Sequence, residues 1–387
     1  MAKELPKILF IADEIPQSIN AGSIQFYRLF ASYPSNKLMV FGKKPNPEAK
    51  ILTCPYYELK YPFLERLRLS RFTSILSDLQ ALKLLLPTLP NNLLKVARAF
   101  EPDLVISLMQ HITYYHPAYF FAKKSKLPFI LFCHDDVEEF SRIHPRFKKS
   151  LIQLNSKIYK SALKRICISP EMAEKWKDKY GAESDFLYPT ASKTLTAKAI
   201  DLDNLTPKKQ LKIGYAGSLA YGYKEGIQEM LPVLQKTSTL LKIYRNEDSS
   251  LPSSKYLTYR GFSKTAEETF EKIKAECDAV ILPYSSDKKF KDLYTTHFPS
   301  KIPEYILLGM PVIVIGPSYA NGVRWAMSKK GIFSGNLDSL EDILKSISSD
   351  MLKLKQVLMS LKEIDDFNPN QINTKFIQIV NNASKAN

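Results

Sequence analysis

The chain has 387 residues, 45% hydrophobic and 24% charged, and carries a formal net charge of +16. That length exceeds one ordinary core and suits two domains. No window approaches the apolar length of a membrane span, and the opening Met1-Ala-Lys-Glu-Leu-Pro-Lys7 lacks a signal peptide's apolar run, so a cytoplasmic protein is expected.

The first apolar run is Lys7-Ile-Leu-Phe-Ile-Ala12, ending at Asp13; Ala21-Gly-Ser-Ile24 then leads into a helical stretch. Further runs follow at Leu38-Met-Val-Phe-Gly42, Leu104-Val-Ile-Ser-Leu108, Phe129-Ile-Leu-Phe-Cys133 and Arg165-Ile-Cys-Ile-Ser169, with helical sequence between them. Short continuous apolar runs of this kind suit strands covered on both faces, as in a parallel sheet. Residues 61–100 are different: long amphipathic segments set arginines beside leucines and phenylalanines. A basic amphipathic helix can lie on an anionic membrane surface, and helices packed on a sheet show the same pattern.

Residues 191–209 are polar, broken by proline and without a sustained period, which reads as an interdomain linker. The pattern restarts at Leu211-Lys-Ile-Gly-Tyr-Ala-Gly217, with a helix over about 224–234 and strands at Leu240-Leu-Lys-Ile-Tyr244, Tyr256-Leu-Thr-Tyr259, Ala279-Val-Ile-Leu282 and Pro311-Val-Ile-Val-Ile315. Residues 340–364 read as one helix and about 371–383 as a last one. The expected class is α/β, in two similar halves: 1–190, then the linker, then 210–368, with 369–387 as a closing helical segment. The four cysteines, Cys54, Cys133, Cys167 and Cys277, lie scattered, mostly in apolar runs, and no pair has metal-ligand spacing; reduced thiols and no metal site are expected. The positive charge would attract nucleic acid, anionic lipid or phosphorylated small molecules, but the lysines are spread and no nucleic-acid motif accompanies them.

In open parallel sheets, ligands bind beyond the carboxyl ends of the strands, where helix N-termini aim their backbone donors. Four places qualify. Gly22 precedes a helix, without the G-x-G-x-x-G spacing of a dinucleotide fingerprint. His134 follows a strand directly and can donate to a substrate hydroxyl, with Asp135 and Asp136 beside it as loop carboxylates. In Gly214-Tyr-Ala-Gly-Ser218, small residues admit a phosphate close to the backbone, and Lys224 can neutralise it. In Pro299-Ser-Lys-Ile-Pro-Glu304, Pro303 suits a first helical turn and Glu304 suits its dipole, whereas Lys301 is a cation in a poor place unless an anion binds there.

These residues together resemble the two-domain GT-B glycosyltransferases, particularly the large retaining family 4-like group that builds bacterial surface polysaccharides. The clearest match is Phe298-Pro-Ser-Lys-Ile-Pro-Glu-Tyr-Ile-Leu-Leu-Gly-Met-Pro-Val-Ile313. Ile168-Ser-Pro-Glu-Met172, Tyr215-Ala-Gly-Ser218 through Lys224, Tyr259-Arg-Gly-Phe262 and Cys277-Asp-Ala-Val-Ile-Leu-Pro-Tyr284 support it, in family order. The resemblance implies two Rossmann-like domains facing each other across a cleft, with a nucleoside diphosphate sugar held mostly by the second and the acceptor side formed by the first. It implies that Glu304 holds the donor ribose, that Lys224 contacts the diphosphate with Ser218, Ser300 and Lys301 nearby, and that the backbone near Gly22 approaches the phosphates. His134 would face the sugar, Arg260, Gly261 and Phe262 would lie near the base, and the last helix would cross back to the first domain.

The implied reaction is retaining sugar transfer to a saccharide or lipid-linked acceptor, at the inner face of the plasma membrane if residues 61–100 engage lipid. Cations and backbone donors would stabilise the leaving diphosphate with no divalent metal or other cofactor. Two positions depart from the pattern. Thr296 stands where many members have a glutamate for the transferred sugar, and Ser218 where they often have an arginine beside the leaving phosphate. These departures imply a different donor, relocated ligands, weak activity or, as the alternative reading, a non-catalytic GT-B protein that binds a nucleotide or glycan.

Overall fold

The computed structural model describes residues 5–59, 74–82, 91–140, 143–261, 263 and 265–385. Two compact units divide the chain: residues 1–188 with 370–387, and residues 189–369. Each is built on a parallel sheet.

The first unit has seven strands in the order β3-β2-β1-β4-β5-β6-β7. They are β1 (Ile8–Ile11), β2 (Leu38–Gly42), β3 (Tyr56–Glu58), β4 (Leu104–Leu108), β5 (Phe129–Cys133), β6 (Lys164–Cys167) and β7 (Asp185–Phe186). All paired neighbours are parallel. Every residue of β1, β2, β4 and β5 is buried, the signature of strands with helices on both faces. Local sequence punctuates the helices clearly. Ser169 caps the helix Pro170–Tyr180 by accepting from the Met172 amide at 3.2 Å, Pro170 fills the first position, and Gly181 at φ 68° ends it in the left-handed conformation.

The C-terminal helix Pro369–Ser384 belongs to this first unit. It places Ile372, Phe376, Ile379, Val380 and Ala383 in the core with Phe10, Phe30 and Phe132. The Phe376 ring meets Phe30 edge-on at 5.4 Å and Phe132 at 6.2 Å.

The second unit repeats the plan with six parallel strands in the order β10-β9-β8-β11-β12-β13. These are β8 (Lys212–Ala216), β9 (Leu240–Tyr244), β10 (Leu257–Tyr259), β11 (Ala279–Pro283), β12 (Val312–Ile315) and β13 (Phe333–Gly335). In both sheets the strand order reverses beside the first strand, the Rossmann arrangement whose carboxyl edge receives ligands.

The single helix expected over 340–364 is two helices, Leu340–Ser349 and Met351–Leu361. Asp350 breaks it because its carboxylate accepts from the Lys353 amide at 3.0 Å, so the residue serves as a cap rather than an interior position. The short edge strands β3, β7 and β13 had no signal among the apolar runs. All four cysteines are buried and unbridged. Among the described residues no helix is long and apolar enough to cross a membrane. Most of the basic amphipathic stretch at 61–100, together with Phe262, lies outside the described residues.

Candidate active site

The second sheet gathers the charged candidates at its carboxyl edge. Parallel pairing sets Ala216 of β8 opposite Tyr244 of β9, so Gly217-Ser218 and Arg245 leave the sheet side by side. Past Ser218 the chain turns into the helix Tyr223–Lys236, with Lys224 in its first turn. A hollow of about 390 Å³ opens here, lined by Ser218, Tyr221, Lys224, Arg245 and Asp248 among others. No hydrogen-bond or ion-pair partner holds the Lys224 ammonium among the described residues. Arg245 reaches the Asn246 carbonyl at 3.4 Å and Asp248 at 3.7 Å. Asp248 is held below the usual carboxylate range by hydrogen bonds from Ser250, with the nearby charges of Arg245 and Lys224 adding to the effect.

The short helix Ile302–Leu307 lies against the same edge: the Tyr305 hydroxyl accepts from the Ala216 amide at 3.0 Å. Pro303 sits in its first turn and Glu304, 5% exposed, in the third position. The Lys301 side chain crosses over Gly217 and holds its ammonium 5.9 Å from the Tyr223 ring centre. Burial pushes this ammonium below its ordinary value, and the negative charge of Glu304 offsets only part of that. His297 lies under Tyr221, the rings stacked at 5.7 Å, and its Nδ1 is buried without a hydrogen-bond partner. Burial, then Lys301, lower the His297 pKa to about 4, so the ring is neutral near pH 7.

The other predicted residues of this half sit apart from the hollow's lining or at its margin. Arg260 spends its guanidinium on Glu276, at 2.7 Å. Gly261 donates to the Arg245 carbonyl at 3.1 Å, and a side chain at Gly261 would meet open space. Ser300 is partly exposed just ahead of Lys301. Thr296 is 1% exposed, and its hydroxyl donates to the Leu293 carbonyl of its own helix at 3.4 Å.

In the first unit, His134 follows β5 and stacks on Phe26 at 5.2 Å with the rings 13° apart. Burial lowers its pKa to about 4, leaving a neutral imidazole. Asp135 beside it is raised to about 6 by burial, then by Glu14 and Asp136. Asp136 is tied down by Lys179 at 3.3 Å and accepts from the Glu138 amide at 3.1 Å, a structural duty. Gly22 lies at the start of the helix Ala21–Phe30, and Glu14 accepts from Ser23 at 2.6 Å nearby. A second hollow, of about 400 Å³, is lined there by Asp13, Glu14, Ser23 and Lys43 among others.

Comparison with known proteins bears on the fold. Residues 50–187 match the family described as Glycosyltransferase Family 4. The Anabaena protein HepE, solved in complex with UDP, is similar at a TM-score of 0.66 and 15% identity, over 97% of this chain and 100% of that one. The chain has the GT-B fold, and its residues 50–187 are similar to glycosyltransferase family 4. The same GT-B architecture recurs in the apo form of the lipopolysaccharide outer core galactosyltransferase WaaB, with a TM-score of 0.63 and 16% identity over 97% and 98% of the two chains. A glycosyltransferase from Rickettsia africae shares it as well, at 0.62 and 13% over 98% and 99%. No curated protein matches the sequence. At such identities the likeness to solved structures establishes the fold, and the roles of individual residues rest on this GT-B chain's own geometry.

Sequence reasoning missed Arg245 and His297. Arg245 had a usable signal, being the first residue past the carboxyl end of a strand that neighbours the glycine turn. His297 had none, since its position depends on how Tyr221 folds over it.

Proposed function

We propose that the protein transfers a sugar, with retention, from a nucleoside diphosphate sugar to a saccharide or lipid-linked acceptor in the assembly of a surface polysaccharide or glycoconjugate. The observation that carries this reading is the polar hollow at the carboxyl edge of the second sheet, whose lining sets the cations Lys224 and Arg245 beside the carboxylates Glu225 and Asp248. There Lys224 and Arg245 stand beside the Gly217-Ser218 turn, and Lys301 and Glu304 occupy the adjoining helix start. A departing diphosphate gains negative charge in the transition state, and fixed cations at that point lower the barrier. With the charge supplied by side chains, the reading requires no divalent metal, so EDTA is expected to leave transfer unchanged. Glu304 would hold the ribose hydroxyls. Within the first unit, neutral His134 offers a hydrogen-bond donor suited to a sugar hydroxyl, and Gly22 an approachable backbone.

The test is sugar transfer by the purified chain across a panel of nucleotide sugars and acceptors. Glu304→Ala and Lys224→Ala are each expected to cut transfer by at least about 100-fold, the order of losing one charge-stabilising group. Unchanged transfer in both variants would overturn the assignment of roles.

One observation favours the alternative, a non-catalytic protein that binds a nucleotide or glycan: Thr296 is buried and turned onto its own helix, so it offers the sugar no carboxylate. Nucleotide binding without transfer or donor hydrolysis on any pair would establish that reading. Location at the inner face of the plasma membrane is tested by co-sedimentation with vesicles of graded anionic lipid content. Binding that ignores lipid charge would refute the electrostatic form of that attachment.

A further inference from the structure

We infer that Arg245 is the second cation of the diphosphate subsite, supplied from β9 to the place that Ser218 leaves uncharged. The inference rests on the donor reading of that hollow and names a ligand that no motif in the sequence marks.

Three observations carry it. The pairing of Ala216 with Tyr244 brings Arg245 out of the sheet beside Gly217-Ser218, so a side chain from β9 can reach what a longer side chain at 218 would otherwise contact. Arg245 and Lys224 line the same hollow from two different elements, and Ser218 lines it too. The guanidinium is also lightly engaged. Its partners among the described residues are one carbonyl at 3.4 Å and Asp248 at 3.7 Å, which leaves most of its five N–H donors available.

Two other basic side chains on or just past the neighbouring strands are committed elsewhere. Arg260 and Lys242 both pair with Glu276, at 2.7 and 3.3 Å. The Asp248 carboxylate is stabilised first by its hydrogen bonds from Ser250 and then by the charges of Arg245 and Lys224. A planar guanidinium matches two phosphate oxygens at once, a geometry that an ammonium cannot copy.

The experiment uses the full chain and two probes, inorganic pyrophosphate and UDP, titrated by calorimetry, with uridine as the phosphate-free control. Arg245→Gln is expected to weaken pyrophosphate and UDP by about 10- to 100-fold, the range for a charge-assisted contact, and to leave any uridine binding unchanged. Arg245→Lys is expected to fall between wild type and the glutamine variant. Adding Ser218→Arg to Arg245→Gln is expected to raise affinity by more than Ser218→Arg raises it in wild type, a difference that a merely structural role for Arg245 would not produce.

Thermal melting of each variant separates lost ligand contacts from lost folding. Wild-type affinity for pyrophosphate in Arg245→Gln, or equal affinity in the lysine and glutamine variants, overturns the inference while the donor reading stands. A wild-type chain that binds neither pyrophosphate nor UDP overturns both.

Discussion

The Lys301 side chain lies directly across the α-carbon of Gly217, in the volume that a methyl group on Gly217 would fill. Gly217 also has φ of +133°, where a β-carbon is strained whatever the space around it. Gly217→Ala is therefore expected to cost about 1–3 kcal/mol of stability and to displace the Lys301 ammonium from beside Tyr223. Thermal melts and nucleotide titration check the two effects separately. A variant as stable and as tightly binding as wild type would refute the packing described here.

His134 supplies a pH test. Its folded pKa, about 4, lies below the ordinary 6.5 because burial disfavours the imidazolium. Between those values the unfolded chain binds more protons, so this contribution is present above pH 6.5 and is lost as pH falls through 4. The swing is on the order of 3 kcal/mol. His134→Gln removes it. Denaturant unfolding at pH 7 and pH 4 should show wild type losing ground to the variant on the acid side, and parallel behaviour would contradict the buried neutral ring.

Asp13 has the opposite sign. Burial, only partly offset by Lys43 at 3.6 Å, raises its carboxyl from 3.8 to about 6. The folded chain binds more protons in that interval, so the contribution is present below pH 3.8 and is lost as pH rises through 6. Asp13→Asn should be more stable than wild type at pH 7.5, by up to about 3 kcal/mol, with the gap closing towards pH 4. Because His134 and Asp13 titrate over overlapping ranges with opposite effects, only the variants separate them.

Phe376 tests the return of the chain to the first unit. It is fully buried between Phe30 and Phe132. Phe376→Ala is expected to cost about 3–5 kcal/mol in the unfolding of that unit, followed by denaturant titration. A loss below about 1 kcal/mol would mean that the aromatic cluster closes without it.

The sheets were legible because burial on both faces leaves an unbroken apolar run, as in Ile8–Ile11 and Phe129–Cys133. The helix Pro170–Tyr180 was not named from the sequence, although Ser169 and Gly181 mark its ends locally. Strands β7 and β13 were not legible: at two or three residues, with partial exposure, they are defined by pairing with a neighbour rather than by their own composition. The candidate site divides in the same way. Lys224 and Glu304 sit in motifs that local sequence exposes, whereas the meeting of Arg245 with Ser218 follows from strand register. The contact of Lys301 with Gly217 joins residues on separate elements, and a linear pattern carries no trace of it.

The helix Pro369–Ser384 gives the two units different histories during synthesis. The second unit is one continuous segment, complete once residue 369 has left the ribosome, and its sheet needs nothing further downstream. The first unit emerges earlier but lacks the helix that covers Phe30 and Phe132, so its apolar face stays open until the last stretch of chain appears. The half made first is therefore the half finished last, and in the interval its uncovered phenylalanines form the sticky surface that a chaperone would have to shield.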